Sequence, residues 1–127
     1  VQFVDNSQSH LFGKSIISSD NMDYNIEDMI LATTHRAKDF YTEKFKDMEK
    51  YCILSNSKDL SNGEIVTGSK PVGVHAELRH AWTVHSAQGE TATNQLFIEL
   101  QGMRKTRALY TAISRAKLWS QVIFVRQ

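Results

Sequence analysis

Apolar and polar positions form regular blocks after residue 28, and the first block predicts a strand followed by a helix. Residues 29–33 (MILAT) are a short apolar run, which is typical of a buried strand. Thr34 is a suitable N-cap, and apolar residues then recur at helical spacing: Ala37, Phe40, Tyr41, Phe45 and Met48. Charged residues occupy the opposite side of this helix. The pattern therefore predicts a strand, a turn and an amphipathic helix, as in a layered α/β domain.

The rest of the chain continues this alternation around a small β region. Apolar runs predict strands at residues 51–54, 64–67, 78–84, 95–100 and 121–125, and a helix at residues 103–117. Asn62-Gly63 is a strong turn signal, so we interpret residues 51–75 as a small β insertion. Strands that alternate with helices favour a mainly parallel sheet flanked by helices. We therefore predict an α/β domain over residues 28–127.

Residues 1–27 are polar and show no lasting periodicity. We interpret them as a linker or an N-terminal extension, with a short strand or helix near residues 11–17. Residues 12–15 (FGKS) resemble the end of a phosphate-binding loop, but that loop needs a second glycine where this chain has Gln8. We therefore do not expect this segment to bind a nucleotide.

Composition narrows the class of protein only a little. The chain has 127 residues, of which 41% are hydrophobic and 23% charged, and this is typical of one domain with its own core. No apolar run approaches the roughly 20 residues of a membrane helix, so no membrane partner is expected. The single cysteine, Cys52, excludes an internal disulfide, and no signal pattern opens the sequence, so an intracellular location is favoured. The histidines are scattered, and no metal site is expected.

Charge is distributed unevenly along the chain, although the net charge is only +1. The bulk value does not indicate a nucleic-acid binder. Residues 101–127, however, contain six lysines and arginines and no acid. This basic quarter can meet an anion, and the alternative interpretation is a solvated helix face.

One candidate for ligand chemistry is the segment at residues 81–91 (AWTVHSAQGET), which leaves an apolar strand through small polar residues. Open parallel sheets bind ligands outside the carboxyl ends of their strands. Hydroxyl and backbone N–H groups at such an end suit phosphate oxygens, and Gly89 permits a close approach. The alternative is an ordinary polar loop with a glycine turn.

The other candidate is the predicted helix at residues 104–117 (RKTRALYTAISRAK). With its apolar face inward, the residues that share the opposite side are Arg104, Arg107, Thr111 and Arg115. Arg115 lies near the helix end, where an arginine can reach across a domain interface to a phosphate. The alternative is a surface arginine that interacts favourably with the helix dipole.

These two segments resemble a known pair. TVHSAQGET (residues 83–91) resembles motif V of superfamily 1 helicases, and RALYTAISRAK (residues 107–117) resembles their motif VI, in the same order and with a hydrophobic strand between them. Residues 30–38 (ILATTHRAK) and the turn at residues 62–65 (NGEI) resemble, less specifically, the entry to the second motor domain and its β insertion. The similarity covers roughly residues 29–125 and is greatest to the 5′-to-3′ branch and to helicases of large DNA viruses. It implies a RecA-like fold for the second motor domain, and for a viral source the cytoplasm or nucleus of an infected cell.

The resemblance also implies roles for individual residues. Those matching positions that contact the single strand are Thr34, Thr83, His85 and Ser86, although the family often has lysine where this chain has Ser86. Those matching the nucleotide side are Gln88, Gly89, Glu90 and Arg115; Glu90 stands one place before the acid that meets the ribose in the family, and Arg115 matches the arginine that reaches the γ-phosphate. Tyr110 and Ser114 match residues that hold the helix in place.

We therefore expect the C-terminal motor domain of an ATP-dependent helicase, with Arg115 as its catalytic residue. The implied cofactors are ATP and Mg²⁺, bound mainly by a first RecA-like domain, because this sequence contains no phosphate-binding loop motif. The implied partners are that domain, single-stranded nucleic acid (DNA in preference to RNA) and replication proteins. Alone, the chain is expected not to hydrolyse ATP. The alternatives are a non-catalytic nucleic-acid or protein-binding module and, less favoured, an α/β enzyme that uses His85 or Ser86.

Overall fold

The computed structural model describes residues 10, 11, 13–84, 91–103 and 106–127. Nine strands and two α-helices are found in these ranges. In chain order they are β1 (His10–Leu11), β2 (Lys14–Ser18), β3 (Met29–Ala32), α1 (His35–Lys44), β4 (Lys50–Ile53), β5 (Ile65–Thr67), β6 (Ala76–Leu78), β7 (Ala81–Thr83), β8 (Leu96–Glu99), α2 (Thr106–Ile113) and β9 (Val122–Arg126). The predicted α/β class is confirmed, because the main sheet is mostly parallel.

The main sheet has six strands in the order β1-β2-β9-β8-β3-β7. All neighbouring pairs are parallel except β1 and β2, which form an antiparallel pair. The second sheet is antiparallel, with the order β5-β4-β6. Two of its strands overlap residues 51–75, and the third, β6, lies beyond them. The chain passes from α1 through this small sheet and then into β7, the edge strand of the main sheet.

Alternating residues of the central strands point to two apolar clusters, one on each face of the main sheet. Leu31, Ile98 and Phe124 pack with Leu109 and Ala112 of α2. On the other face the cluster contains Ile30, Phe97 and Val125, together with Tyr41 of α1. The helices therefore cover opposite faces of the main sheet, as expected when parallel strands are buried on both sides.

α1 begins as predicted, with Thr34 as its N-cap: the Thr34 hydroxyl accepts a hydrogen bond of 3.1 Å from the backbone N–H of Ala37. The helix ends at Lys44, earlier than the periodicity indicates. Phe45 and Met48 lie in the following turns, although both still pack against the core.

The interpretation of residues 1–27 as a linker or extension needs correction for residues 14–18. These residues form β2, which pairs in parallel with β9 through Ile16, Ile17 and Ser18. A short strand or helix was predicted near residues 11–17, but the local pattern does not show the distant strand that pairs with it. Tyr24 is also buried in the core, so this part of the chain belongs to the folded domain.

The predicted single strand at residues 78–84 is two strands in different sheets. β6 ends at Leu78, and the small sheet continues for one more bond, from the N–H of Arg79 to the carbonyl of Lys50 (2.9 Å). The next residue, His80, does not continue the small sheet: its backbone N–H donates a hydrogen bond to the side-chain hydroxyl of Thr42 in α1 (3.3 Å). β7 starts at Ala81. The change of sheet occurs at Arg79 and His80, which the apolar pattern alone does not reveal.

The predicted helix at residues 103–117 is also shorter in the structure, where α2 spans Thr106–Ile113. Beyond Ile113 the backbone tightens, because Arg115 and Ala116 donate to the carbonyls three residues before them. Ala116 then forms a parallel bridge with Ala92. Arg115 therefore lies in a turn after the helix and does not share a helical face with Arg107.

Candidate functional site

The carboxyl ends of β3 and β7 bring two of the predicted strand-contact residues to the same edge of the main sheet. Ala32 pairs with Thr83, and the N–H of Val84 donates to the carbonyl of Ala32 (2.9 Å). Thr34 lies two residues after Ala32 and is exposed. Its hydroxyl oxygen accepts from the Ala37 N–H, and the hydroxyl proton can still be donated to a phosphate oxygen. Thr83 is only 7% exposed, so little of it reaches solvent.

Thr33 belongs to the same edge and was not singled out from the sequence. Its hydroxyl oxygen is buried and has no hydrogen-bond partner among the described residues. Gly102, which follows β8, closes over it: a Cβ at Gly102 would lie 3.2 Å from Thr33 Oγ1 and 3.5 Å from Thr34 Cγ2. A polar residue directly after a buried strand is the sequence signal that could have pointed to Thr33.

Glu99 ends β8 at this edge and is fully buried. The Tyr41 hydroxyl donates to Glu99 Oε1 (2.5 Å), and the backbone N–H of Gln101 donates to Oε2 (2.9 Å). Burial raises the pKa of the Glu99 carboxyl, and burial together with this hydrogen bond raises the pKa of Tyr41. Because both oxygens are engaged, we assign Glu99 to holding α1 on the sheet.

Arg115 lies at the opposite, amino-terminal edge of the sheet. α2 runs back from the carboxyl end of β8 toward the start of β9, and Arg115 stands in between. Its backbone carbonyl accepts from the N–H of Ala92 (2.7 Å). Its guanidinium Nε is buried, with no hydrogen-bond partner among the described residues. An unpaired buried N–H of this kind is costly, and an anion placed against it would remove that cost.

The Gln121 side chain holds the two segments of this edge together, a role that sequence reasoning missed. Its Nε2 donates to the carbonyls of Ala92 (3.0 Å) and Asn94 (2.6 Å). Its Oε1 accepts from the backbone N–H groups of Lys117 (2.9 Å) and Leu118 (2.7 Å). One amide therefore fixes residues 92–94 against the turn that carries Arg115. We call this arrangement the Gln121 clamp.

The other predicted site residues divide into two groups. His85, Ser86, Gln88, Gly89, Glu90 and Arg104 lie outside the described residues. Tyr110 and Ser114 are both exposed on or next to α2. The Ser114 hydroxyl donates to the carbonyl of Thr111 (2.6 Å), which stabilises the end of the helix. Half of the Tyr110 surface is exposed, so Tyr110 adds little to the core.

A polar network joins the small sheet to the main sheet. His80 is fully buried, and its Nε2 donates to the carbonyl of Met48 (2.8 Å), since a carbonyl can only accept. Its Nδ1 therefore accepts from the Tyr24 hydroxyl (2.8 Å) in the neutral ring. Lys50 Nζ donates to the Asp28 carbonyl (2.7 Å) and to the Tyr24 hydroxyl (3.4 Å). Burial lowers the pKa of His80, raises that of Tyr24 and lowers that of Lys50 to about 8.

Asp28 anchors the other end of this network. Its carboxylate accepts from the backbone N–H groups of Asn25 (2.8 Å) and Gln95 (3.1 Å), and from Nε2 of Gln95 (3.0 Å). Both oxygens are thereby engaged, and the segments that precede β3 and β8 are tied together. In the ranges given above, no group of three or more histidines, cysteines or acids is placed to hold a metal ion.

Comparison with known proteins gives no assignment. No model of a protein family matches this chain, and no curated protein matches it. Among the helices of the described ranges, none is long and apolar enough to cross a membrane.

Proposed function

We propose that this chain is the second motor domain, with a RecA-like fold, of an ATP-dependent superfamily 1 helicase. Its carboxyl-terminal sheet edge contacts single-stranded nucleic acid, mainly through the exposed Thr34, because Thr83 is only 7% exposed. Its amino-terminal edge, with Arg115, faces the γ-phosphate of ATP bound to a first motor domain. The mainly parallel sheet with helices on both faces supports this proposal, because RecA-like domains share that architecture.

The observation that carries the proposal is the pairing of Ala92 with residues 115 and 116. The segment TVHSAQGET ends at Thr91, and the next residue bonds to the turn of the segment TAISRAK. The two segments that resemble motifs V and VI are 24 residues apart from Thr91 to Arg115, yet their ends meet. A shared interdomain nucleotide site requires such a meeting.

The residues of this chain fit ATP and Mg²⁺ to different degrees. Arg115 suits a phosphate, because its buried Nε–H lacks a partner among the described residues. The described residues contain no group of three or more histidines, cysteines or acids that could hold a metal ion, so the first domain would have to supply ligands for Mg²⁺. Bound ATP would supply the phosphoryl group whose transfer drives motion between the domains. In this chain Arg115 would stabilise negative charge on that group, and the Gln121 clamp would position Arg115.

The test is the substitution Arg115→Ala in the protein that also contains the first motor domain. ATP hydrolysis stimulated by a single-stranded oligonucleotide should fall by about 10³-fold or more, the range for loss of an arginine finger. Oligonucleotide affinity should stay within about twofold, because the strand contacts lie at the other sheet edge.

The matched control is Arg107→Ala, which removes the same charge from an exposed position of α2. It should leave hydrolysis and affinity unchanged. Normal turnover in the Arg115 variant, or equal losses in both variants, would remove Arg115 from the site.

A second candidate function is a nucleic-acid-binding module without catalysis. It is favoured by the sequence, which has no phosphate-binding loop, and by the absence of a metal-ligand group in the described residues. The chain alone would then bind a labelled single-stranded oligonucleotide, with an affinity that falls linearly on a logarithmic salt scale. If hydrolysis stays at background when the first motor domain is present, the module is supported and the motor is rejected.

A further inference from the structure

A cleft of about 610 Å³ lies between the small sheet and the main domain. The small sheet contributes Cys52, Ile65 and Thr67 to its walls, and the main domain contributes Met29 and Trp82. This volume lies within the usual range for small-molecule sites, roughly 300–1,000 Å³. Arg115 does not line the cleft. The cleft is therefore a separate feature from the proposed γ-phosphate contact.

Arg79 gives the cleft an unsatisfied cationic donor. It lines the cleft, its side chain is only 19% exposed, and one terminal nitrogen pairs with Oε1 of Glu77. Its Nε is buried and has no hydrogen-bond partner among the described residues. A small rotation of the guanidinium toward the cleft would exchange this unpaired N–H for a charge-assisted hydrogen bond to an anion.

Lys50 places a second positive charge in the same wall. Its ammonium group is fixed by the Asp28 carbonyl and lies 5.4 Å from the centre of the Trp82 ring. The Asp28 carboxylate accepts hydrogen bonds from Asn25 and Gln95 and also lines the cleft. Burial lowers the pKa of Lys50 to about 8, and Lys50 is therefore still mostly charged at neutral pH. Glu27 lines the cleft as well, so the anionic group of a ligand would have to lie beside Lys50 and Arg79 and away from the acids.

The remaining lining adds apolar side chains and hydroxyl groups. Trp82, Met29 and Ile65 are apolar residues of the lining, and an aromatic ring can pack against the part of Trp82 that the cleft exposes, although only 8% of Trp82 is exposed. Thr67, Thr91 and Thr93 line the cleft and are exposed, so their hydroxyls can meet sugar or phosphate oxygens. Cations, hydroxyls and an apolar wall together match a ligand that joins a phosphate, a sugar and a planar ring.

We propose that this cleft binds one nucleotide unit, with its base against Trp82 and Met29 and its phosphate at Arg79. The unit can be a free mononucleotide or one nucleotide of a single strand that passes the small sheet. The inference rests on the cleft alone and not on the motor function proposed above, and it adds a site that neither Arg115 nor the carboxyl-terminal edge provides.

The test uses tryptophan fluorescence of this chain. The sequence has two tryptophans, and Trp119 is not among the residues that line the cleft, so Trp119→Phe leaves Trp82 as the only reporter. In this background we expect saturable quenching by deoxyadenosine monophosphate. Deoxyadenosine lacks the phosphate and therefore the charged contact, and inorganic phosphate lacks the base and therefore the apolar contact. Each should bind at least about tenfold more weakly than deoxyadenosine monophosphate.

Arg79→Gln should weaken deoxyadenosine monophosphate binding about tenfold or more and leave deoxyadenosine binding unchanged, because only the phosphate meets Arg79. Arg107→Gln is the matched control, with the same loss of charge at an exposed site, and it should change nothing. Glu77→Gln frees the guanidinium and should preserve or tighten binding. Thermal unfolding of each variant shows whether the small sheet stays folded.

A labelled oligothymidylate separates the two sources of the ligand. If the oligonucleotide alone binds and Arg79→Gln weakens it, the cleft takes a nucleotide of a strand. If the mononucleotide also binds, the cleft takes free nucleotides. The proposal is overturned if neither ligand binds at millimolar concentration, or if Arg79→Gln and Glu77→Gln weaken binding equally. Arg115 does not line the cleft, and the motor proposal is tested by ATP hydrolysis, so failure here and failure of the motor proposal are distinguishable.

Discussion

The Gln121 clamp gives the most direct test of how the amino-terminal edge is built. Gln121→Leu keeps the size of the side chain and removes four hydrogen bonds, to Ala92, Asn94, Lys117 and Leu118. Each bond contributes about 1 kcal/mol, but three of the four are exposed, so water can replace much of what they lose. We therefore expect the free energy of unfolding to fall by about 1–2 kcal/mol. For a chain of this length, that loss lowers the melting temperature by about 4–8 °C.

The assay is urea unfolding followed by circular dichroism, with Gln101→Leu as the control because the Gln101 side chain is exposed. Gln121→Glu adds a sharper comparison. Its carboxylate would face the carbonyl oxygens of Ala92 and Asn94 at pH 7, and near pH 4 the protonated carboxyl could donate to one of them again. The stability deficit of this variant, measured against the unsubstituted chain, should therefore shrink on acidification. A Gln121→Leu variant within about 0.5 kcal/mol of the control would refute the clamp.

Two further predictions concern buried positions. Burial lowers the pKa of His80 from its usual 6.5, so the unfolded chain binds a proton below pH 6.5 that the folded chain does not bind. The contribution of His80 to the free energy of unfolding is therefore complete above pH 6.5 and decreases below it, by up to about 1.4 kcal/mol per pH unit. Urea unfolding at pH 7.5 and 5.5 should show a smaller loss of stability in His80→Gln than in the unsubstituted chain. An equal loss in both would contradict the assignment of this pH dependence to His80. Gly102→Ala should destabilise the chain more than Gly73→Ala. Both glycines have a positive φ (82° and 75°), which costs a side chain about 1–2 kcal/mol, but only at Gly102 would the Cβ meet a neighbour, Thr33 Oγ1 at 3.2 Å. Equal losses in thermal unfolding would show that the contact with Thr33 is not tight.

The sequence by itself determined most of the individual elements. Each of the apolar runs at residues 29–33, 51–54, 95–100 and 121–125 overlaps an observed strand, and their ends agree within one residue. The N-cap at Thr34 and the turn at Gly63 were also predicted correctly, since both depend on local chemistry: a hydroxyl that meets a helix N–H, and a residue that tolerates a positive φ. From the sequence alone, Arg115 was a candidate beside an open alternative, a surface arginine, and its role stays a prediction.

Only the tertiary structure decided which segments meet. β2 is short and lies in a polar region, and it becomes part of the main sheet because β9, more than 100 residues later, offers it an unpaired edge. Residues 78–84 divide between two sheets because His80 finds buried partners in Tyr24 and Met48. The pairing of Ala92 with the Arg115 turn, and the cleft at Arg79, likewise depend on distant partners. The local sequence pattern shows the spacing of apolar residues in a strand or helix and the residues that cap a helix. Strand pairing and burial depend instead on contacts between residues that are far apart in the chain.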